Sequence, residues 1–261
     1  MNVYFRMIQK AILTRLEYRG SFFISMVSML LYYIAQFSIV GFTVNTFKNI
    51  NGWKLPEIAF LYSFILMSQG LNTLLFGPMV RFDEVIRKGD WDYLLIRPFQ
   101  PLVALLSMKF DPSAIIHLIL GLIFFFYSSV QINLNLTAVD YLLITQLWVG
   151  GTLILASIRI IVASVAFMSV STESLVHFFV YSSKEFIIYP INIFQRPIPF
   201  ILTFIFPLAF INYYPVHMFI NKEVLFADFL KYGTLPVGVA YFSFSLWVFK
   251  AGMKRYHSTG T

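Results

Sequence analysis

The stretch from Tyr189 to Pro215, YPINIFQRPIPFILTFIFPLAFINYYP, decides how this chain must fold. It is strongly apolar, carries one charge, Arg196, and holds five prolines: Pro190, Pro197, Pro199, Pro207 and Pro215. Each proline lacks the N–H that would close a helical turn, and its ring clashes with the carbonyl four residues earlier. A straight membrane-crossing helix tolerates one such break, sometimes two, but not five in this length. Broken apolar backbone at membrane depth survives only where protein or a water-filled path surrounds it. The segment therefore predicts a broken, re-entrant element in a transport protein rather than a simple anchor.

Working outward, the rest of the chain is equally apolar. Of its 261 residues 59% are hydrophobic and 12% charged, against about a quarter charged in soluble domains. Repeated apolar runs of roughly twenty residues point to a polytopic helical membrane protein. There is no cysteine, which excludes disulfide scaffolds, thiolate zinc sites and cysteine nucleophiles. The net charge of +7 reads as topology signal beside membrane helices rather than as a nucleic-acid surface. Residues 1–20 do not read as a signal peptide, because the apolar stretch after them is too long and lacks a small-residue cleavage site.

The expected fold class is all-α polytopic membrane protein, a single transmembrane domain over 1–261. It comprises six transmembrane helices, an N-terminal interfacial helix over 1–20 and a re-entrant outer segment over 189–216 before the last helix. In residues 3–19, Val3, Tyr4, Met7, Ile8, Ala11, Ile12 and Leu16 fall on one side. Arg6, Gln9, Lys10, Thr14 and Glu17 fall on the other, which suits a helix lying in the interface or a plain lead-in. The spans are expected near 22–42, 56–76, 112–130, somewhere in 140–168, 175–194 and 235–249. The fourth stretch is too long for one crossing, so its ends are ambiguous. A polar hinge, Ser169–Ser174, separates the fourth span from the fifth.

Six spans put both termini on one side. That side holds Arg6, Lys10, Arg15 and Arg19, then Arg81, Arg87, Lys88, Arg97 and Lys109, then Lys250, Lys254 and Arg255. The other side has Lys48, Lys54, Arg196, Lys222 and Lys231. The excess places both termini and the 77–111 loop in the cytoplasm.

Two groups of residues stand out as functional. In the 77–111 loop, Asp83 to Arg87 and Glu84 to Lys88 are acid-then-base pairs at i,i+4, the favourable order on a helix. Gly89 is a natural stop, and Asp90 can cap the next turn. A short charged helix including Arg81, Asp83, Glu84, Arg87 and Lys88 is expected, suited either to docking in a groove of a soluble partner or simply to solvation. The second group interrupts apolar runs: Gln69, Asn72, His117, Gln146, Arg159, Lys184 and Glu185. Ionisable groups at membrane depth usually face a partner or a cavity. Arg159 and Glu185, on consecutive expected helices, either form an intramembrane ion pair or snorkel separately to the interface.

No catalytic or metal site is legible. His117, His177 and His217 lie in separate segments, and neither H-E-x-x-H nor G-x-S-x-G occurs. No G-x-x-x-x-G-K-[ST] is present, so a nucleotide-driven activity would need its ATP and Mg on another subunit.

These features resemble the permease subunits of six-helix bacterial ABC exporters of the drug, lipid and polysaccharide type. The likeness covers nearly the whole chain. It rests on the G-x-x-D-x-x-L-x-x-P stretch Gly89-Asp90-Trp91-Asp92-Tyr93-Leu94-Leu95-Ile96-Arg97-Pro98, on Tyr189-Pro190-Ile191-Asn192-Ile193-Phe194, and on Leu202 through Pro215. The resemblance implies a non-enzymatic half-transporter in the bacterial inner membrane. Two such permeases, identical or paralogous, would sit among membrane lipids on two ABC ATPase subunits. It implies that 81–92 is the coupling helix, with Arg81, Asp83, Glu84, Arg87, Lys88, Gly89 and Asp90 at the ATPase. It also implies that Tyr189, Pro190, Pro197, Pro199, Pro207, Asn212 and Pro215 belong to an outer gate. Two other classes stay open on the residues alone. One is an ion-coupled secondary transporter with Glu185 as the proton-binding acid; the other is an assembly subunit without transport of its own.

Overall fold

The computed structural model describes residues 2–17, 19–169 and 171–256, and among them there is no β-strand. Tyr18 and Val170, inside the expected interfacial helix and the expected hinge, lie outside the described residues, as do the side chains of Arg15, Leu16 and Arg19. The helices are α1 (Asn2–Glu17), α2 (Arg19–Phe47), α3 (Leu55–Phe76), α4 (Phe82–Arg87), α5 (Asp90–Leu95) and α6 (Pro101–Met108), then α7 (Ile115–Gln131), α8 (Ala138–Val165), α9 (Glu173–Leu175), α10 (Pro197–Phe200), α11 (Tyr213–Val216) and α12 (Thr234–Met253). Among the described residues four stretches are long and apolar enough to cross a membrane: Gly20–Phe47, Leu55–Arg87, Ala138–Val165 and Thr234–Met253. A bent pair, Pro197–Ile205 with Leu208–Val216, makes a fifth if it counts as one span. The protein is an all-α polytopic membrane protein.

The expected spans near 22–42, 56–76 and 235–249 correspond to α2, α3 and α12. The third corresponds to α7, a shorter apolar helix of 17 residues, about 26 Å at 1.5 Å per residue. The ambiguous fourth is one continuous helix, α8, of 28 residues. That is about 42 Å, longer than the roughly 30 Å hydrocarbon core, so the helix tilts or projects beyond it. Its start is set by a capping box: Asp140 accepts from the Thr137 N–H at 2.8 Å, and Thr137 accepts from the Asp140 N–H.

The fifth expected span, 175–194, needs correction. Only Glu173–Leu175 is α-helical; a π-helix follows over Val176–Tyr181 and a 3-10 helix over Ser182–Ile187. The Ser183 hydroxyl donates to the Phe179 carbonyl, diverting an acceptor from the helical ladder. Pro190, beyond it, cannot continue that ladder.

The centre of the bundle is α3 and α8, each burying 78% of its apolar window, whereas α2 buries 6%. Helices apolar on every face belong in the middle of such a bundle. α8 and α12 pack by backbone approach: a Cβ on Gly238 would lie 2.6 Å from the Gly150 carbonyl oxygen. Small residues permit this closeness in membrane bundles, where dispersion replaces the hydrophobic effect.

The two ends of the bundle differ. At one, the half-buried Tyr4 of α1 meets Phe99, ring centroids 6.2 Å apart, and accepts from the Gln100 N–H. Phe5 and Leu13 of α1 remain exposed, an apolar edge suited to an interfacial helix. At the far end, Lys222 pairs with Glu57 at 3.1 Å and donates to the Gly52 carbonyl. Trp53 meets Tyr213 at a tilt and His217 edge-on.

Candidate functional site

Three pieces of the structure bear on function: a charged elbow at the α1 end, a cavity beside α2, and the proline-rich segment at the far end.

The elbow is two short helices rather than one. α4 ends at Arg87, Gly89 takes φ +70°, and α5 begins at Asp90. That positive φ is open to glycine and strained for other residues, so Gly89 fixes the corner. Asp90 is the first residue of α5, with Gly89 in the capping position and no side-chain cap bond; its expected role as N-cap is not realised. Asp90 instead pairs with Lys109 at 3.9 Å. The two i,i+4 pairs form as read, Asp83–Arg87 at 4.0 Å and Glu84–Lys88 at 3.5 Å, with Arg81 reaching Glu84 at 4.0 Å. Arg81, Arg87, Lys88 and Asp90 are exposed.

Asp83 departs from the expected docking face. It is buried, and its carboxylate accepts from the Thr172 N–H at 3.2 Å. Asp83 therefore ties α4 to the hinge after α8. Asp83→Ala would leave that buried N–H without an acceptor, a cost of about 1–3 kcal/mol. The expected result is a lowered thermal midpoint, with Asp83→Asn intermediate, measured on purified protein.

Below the elbow lies an aromatic cluster. Phe82 and Trp91, both fully buried, meet Phe167 after α8 and Phe249 of α12 at centroid distances of 5.0–5.9 Å. The apolar positions of α4 and α5 thus anchor to two long helices, which leaves Arg87, Lys88 and Asp90 outward. Tyr93, Leu95 and Ile96 are exposed as well, Ile96 at 80%. Beyond the motif they lie in, nothing in the sequence distinguishes these three.

The cavity has a volume of about 1280 Å³ and lies between α2 and the bundle. Its wall runs from Lys10, Arg81, Glu84 and Lys109 to Tyr62, His117, Arg159, Lys184 and Glu185. Arg159, 3% exposed, sits six residues before the end of α8, about 9 Å along the axis. Its guanidinium donates to the Thr73 hydroxyl at 3.1 Å and the Asn72 carbonyl at 3.4 Å. Gln69 donates to the same hydroxyl and accepts from Lys184 Nζ at 2.9 Å. Arg159 and Lys184 thus share one polar chain through Thr73 and Gln69.

The structure does not join Arg159 to Glu185. Glu185 accepts from the Tyr32 hydroxyl at 3.3 Å and from Gln36 Nε2 at 3.5 Å, both on α2. The physical reason is the broken fifth segment: the 3-10 turn directs Glu185 toward α2, while Arg159 faces α3. Both still line the same cavity. Gln69, Asn72 and His117 are buried as expected, whereas Gln146 is exposed on α8 away from the cavity.

The proline-rich segment folds back on itself, its two helical halves meeting at 76°. The turn falls at Phe206-Pro207, where Phe206 leaves helical backbone and Pro207 has no N–H to give. Pro190, Pro199, Pro207 and Pro215 are buried, Tyr189 is half-buried and Pro197 is exposed. Asn212, fully buried, donates to the Ile187 carbonyl at 2.6 Å and caps α11. Thr234 of α12 donates to the Phe210 carbonyl at 2.9 Å. The turn at Pro207 and the second half through Val216 are therefore enclosed by protein, as broken backbone at membrane depth requires, whereas Phe200, Ile201, Phe204 and Ile205 of the first half are exposed.

The chain matches the sequence profile described as ABC-2 family transporter protein over residues 23–260. Neither a curated protein nor a solved structure matches it. A profile that spans nearly every described element, on a multi-pass helical bundle of this kind, identifies it: the chain belongs to the ABC-2 transporter family and is a permease component of an ABC transporter.

Proposed function

We propose that this permease is half of the translocation path of an ATP-driven exporter. Two copies, or this chain with a paralogue, sit in a bacterial inner membrane over two ATPase subunits that carry ATP and Mg. The termini and the 77–111 loop face the cytoplasm. The elbow of α4 and α5 docks in the ATPase, presenting Arg81, Glu84, Arg87 and Lys88. The bent pair at the far end is the outer gate.

One observation supports this most. The exposed charged face of the elbow is backed by side chains packed against two long helices. Aromatic rings tie it to α8 and α12, and Asp83 holds the hinge whose continuation carries Lys184 and Glu185 into the cavity. A displacement of α4 is passed to the cavity wall through packed side chains and one buried hydrogen bond, elements with discrete rather than continuous arrangements. The hydrogen bond from Thr234 connects the gate to α12, and that from Asn212 connects it to Ile187, at the end of the 3-10 helix that carries Lys184 and Glu185.

Co-purification of the tagged chain with a soluble ABC ATPase tests the assembly. Glu84→Lys and Arg87→Glu each reverse a charge on α4 outside the aromatic cluster, Glu84 half-buried and Arg87 exposed. Each is expected to leave insertion intact and to lower transport-coupled ATP hydrolysis at least tenfold in reconstituted vesicles. Unchanged coupling in both would remove the docking role. Uptake driven by a proton gradient without ATP would favour a secondary transporter using Glu185 instead.

A further inference from the structure

Two of the cations that line the cavity, Arg159 and Lys184, have only neutral hydrogen-bond partners. Among the described residues neither Arg159 nor Lys184 takes part in an ion pair. Their partners are neutral: a hydroxyl, a carbonyl and an amide oxygen. Arg159 Nε is buried without any hydrogen-bond partner, and so are both side-chain polar atoms of the adjacent Asn72. A buried guanidinium held by neutral groups is costly unless a negative charge approaches it. The nearby Glu185 is taken up by Tyr32 and Gln36 on α2.

Beside them runs an aromatic and apolar strip, Met29, Tyr33, Tyr62, Ile65 and Ile188, while Lys10, Arg81, Glu84 and Lys109 line the end of the cavity nearer α1 and the elbow. Large apolar pockets with few convergent polar groups bind molecules whose polar part is small and oriented. Tyr32, Tyr181 and Glu185 line the cavity yet are exposed, so the wall is open on the side where α2 stands off from the bundle.

We propose that this cavity binds an amphipathic anion, with a phosphate or carboxylate head at Arg159 and Lys184 and an apolar body along Tyr33, Tyr62, Ile65 and Ile188. Arg159 supplies a fork matched to an oxyanion, and Lys184 supplies a point charge beside it. The proposal deepens the permease reading and rests on it for the claim that the bound molecule is cargo.

The test is binding to the full-length chain in a non-ionic maltoside micelle, with no ATPase present, read as bound adducts by native mass spectrometry. The probes are dodecyl phosphate, inorganic phosphate and dodecyltrimethylammonium. Dodecyl phosphate is expected to bind at least tenfold more tightly than either of the others. Lys184→Met is expected to weaken it about tenfold, Lys184→Arg to retain it and Arg159→Gln to abolish it. Should Arg159→Gln fail to fold, the Lys184 pair carries the decision. Inorganic phosphate binding as tightly as the alkyl phosphate would assign the site to a soluble anion and overturn the apolar half. Equal binding of the ammonium probe, or no change with Lys184→Met, would overturn the whole. If the ATPase co-purifies and binding fails, the substrate class falls while the permease reading stands. Binding without any ATPase complex gives the reverse.

Discussion

Gly238→Leu is expected to abolish the folded protein. A side chain at position 238 has to enter the contact between α12 and α8, where its first carbon would lie 2.6 Å from the Gly150 carbonyl oxygen and 3.2 Å from the Gly150 Cα. Both obstacles are backbone, so no rotamer relieves the clash and the helices must separate. Even Gly238→Ala forces that separation and should cost about 1–3 kcal/mol, in the range of overpacked cores. Leucine adds a branched chain to the same gap. Because interhelical attraction in a bilayer depends on close dispersion contact, a shift of an ångström along this pair weakens the whole length. The measurement is the monodisperse peak of detergent-extracted protein on size exclusion, with thermal midpoint for the alanine variant. A wild-type midpoint for Gly238→Ala would mean that α8 and α12 do not approach as described.

Phe82→Ala is expected to loosen the elbow from the bundle. Phe82 is fully buried and is the hub of the cluster, touching Trp91, Phe167 and Phe249 with ring centroids 5.0–5.4 Å away. Removing a buried phenyl ring typically costs about 3–5 kcal/mol. At 1.4 kcal/mol per factor of ten, about 3 kcal/mol raises the population of a locally opened elbow on the order of a hundredfold. Trypsin reads this directly, since Arg87 and Lys88 lie at the end of α4. Cleavage there should rise steeply while cuts near Lys222 and Lys231, at the far end, stay constant. Equal acceleration at both ends would show that the cluster supports the whole fold rather than the elbow. Under the proposed function the same variant should lose ATP-coupled transport, because a hinged elbow no longer transmits displacement to α8 and α12.

How much of this was legible before the tertiary structure follows from the range of each physical cause. The membrane class, the starts of α3 and α12 and the break at Pro207 depend on neighbouring residues, and hydropathy and proline chemistry report them. The corner at Gly89 and the pairs Asp83–Arg87 and Glu84–Lys88 are also local, and the sequence alone determined them. Which member of the elbow is buried was not local. Asp83 looks like its neighbours in the chain, and only the arrival of Thr172 from the end of α8 takes it out of solvent. The same holds for Arg159 and Glu185, whose consecutive segments suggested a pair until the π and 3-10 turns directed Glu185 to α2. Gly150 and Gly238 carry no hydropathy signal that separates them from other glycines; their role exists only once two helices cross. The cavity likewise is a space between α2 and its neighbours, made by packing that α2 does not complete. Backbone preference and apolarity act within a few residues and are written into the chain, whereas close approach and the pairing of buried charge arise between segments and were decided by the tertiary structure.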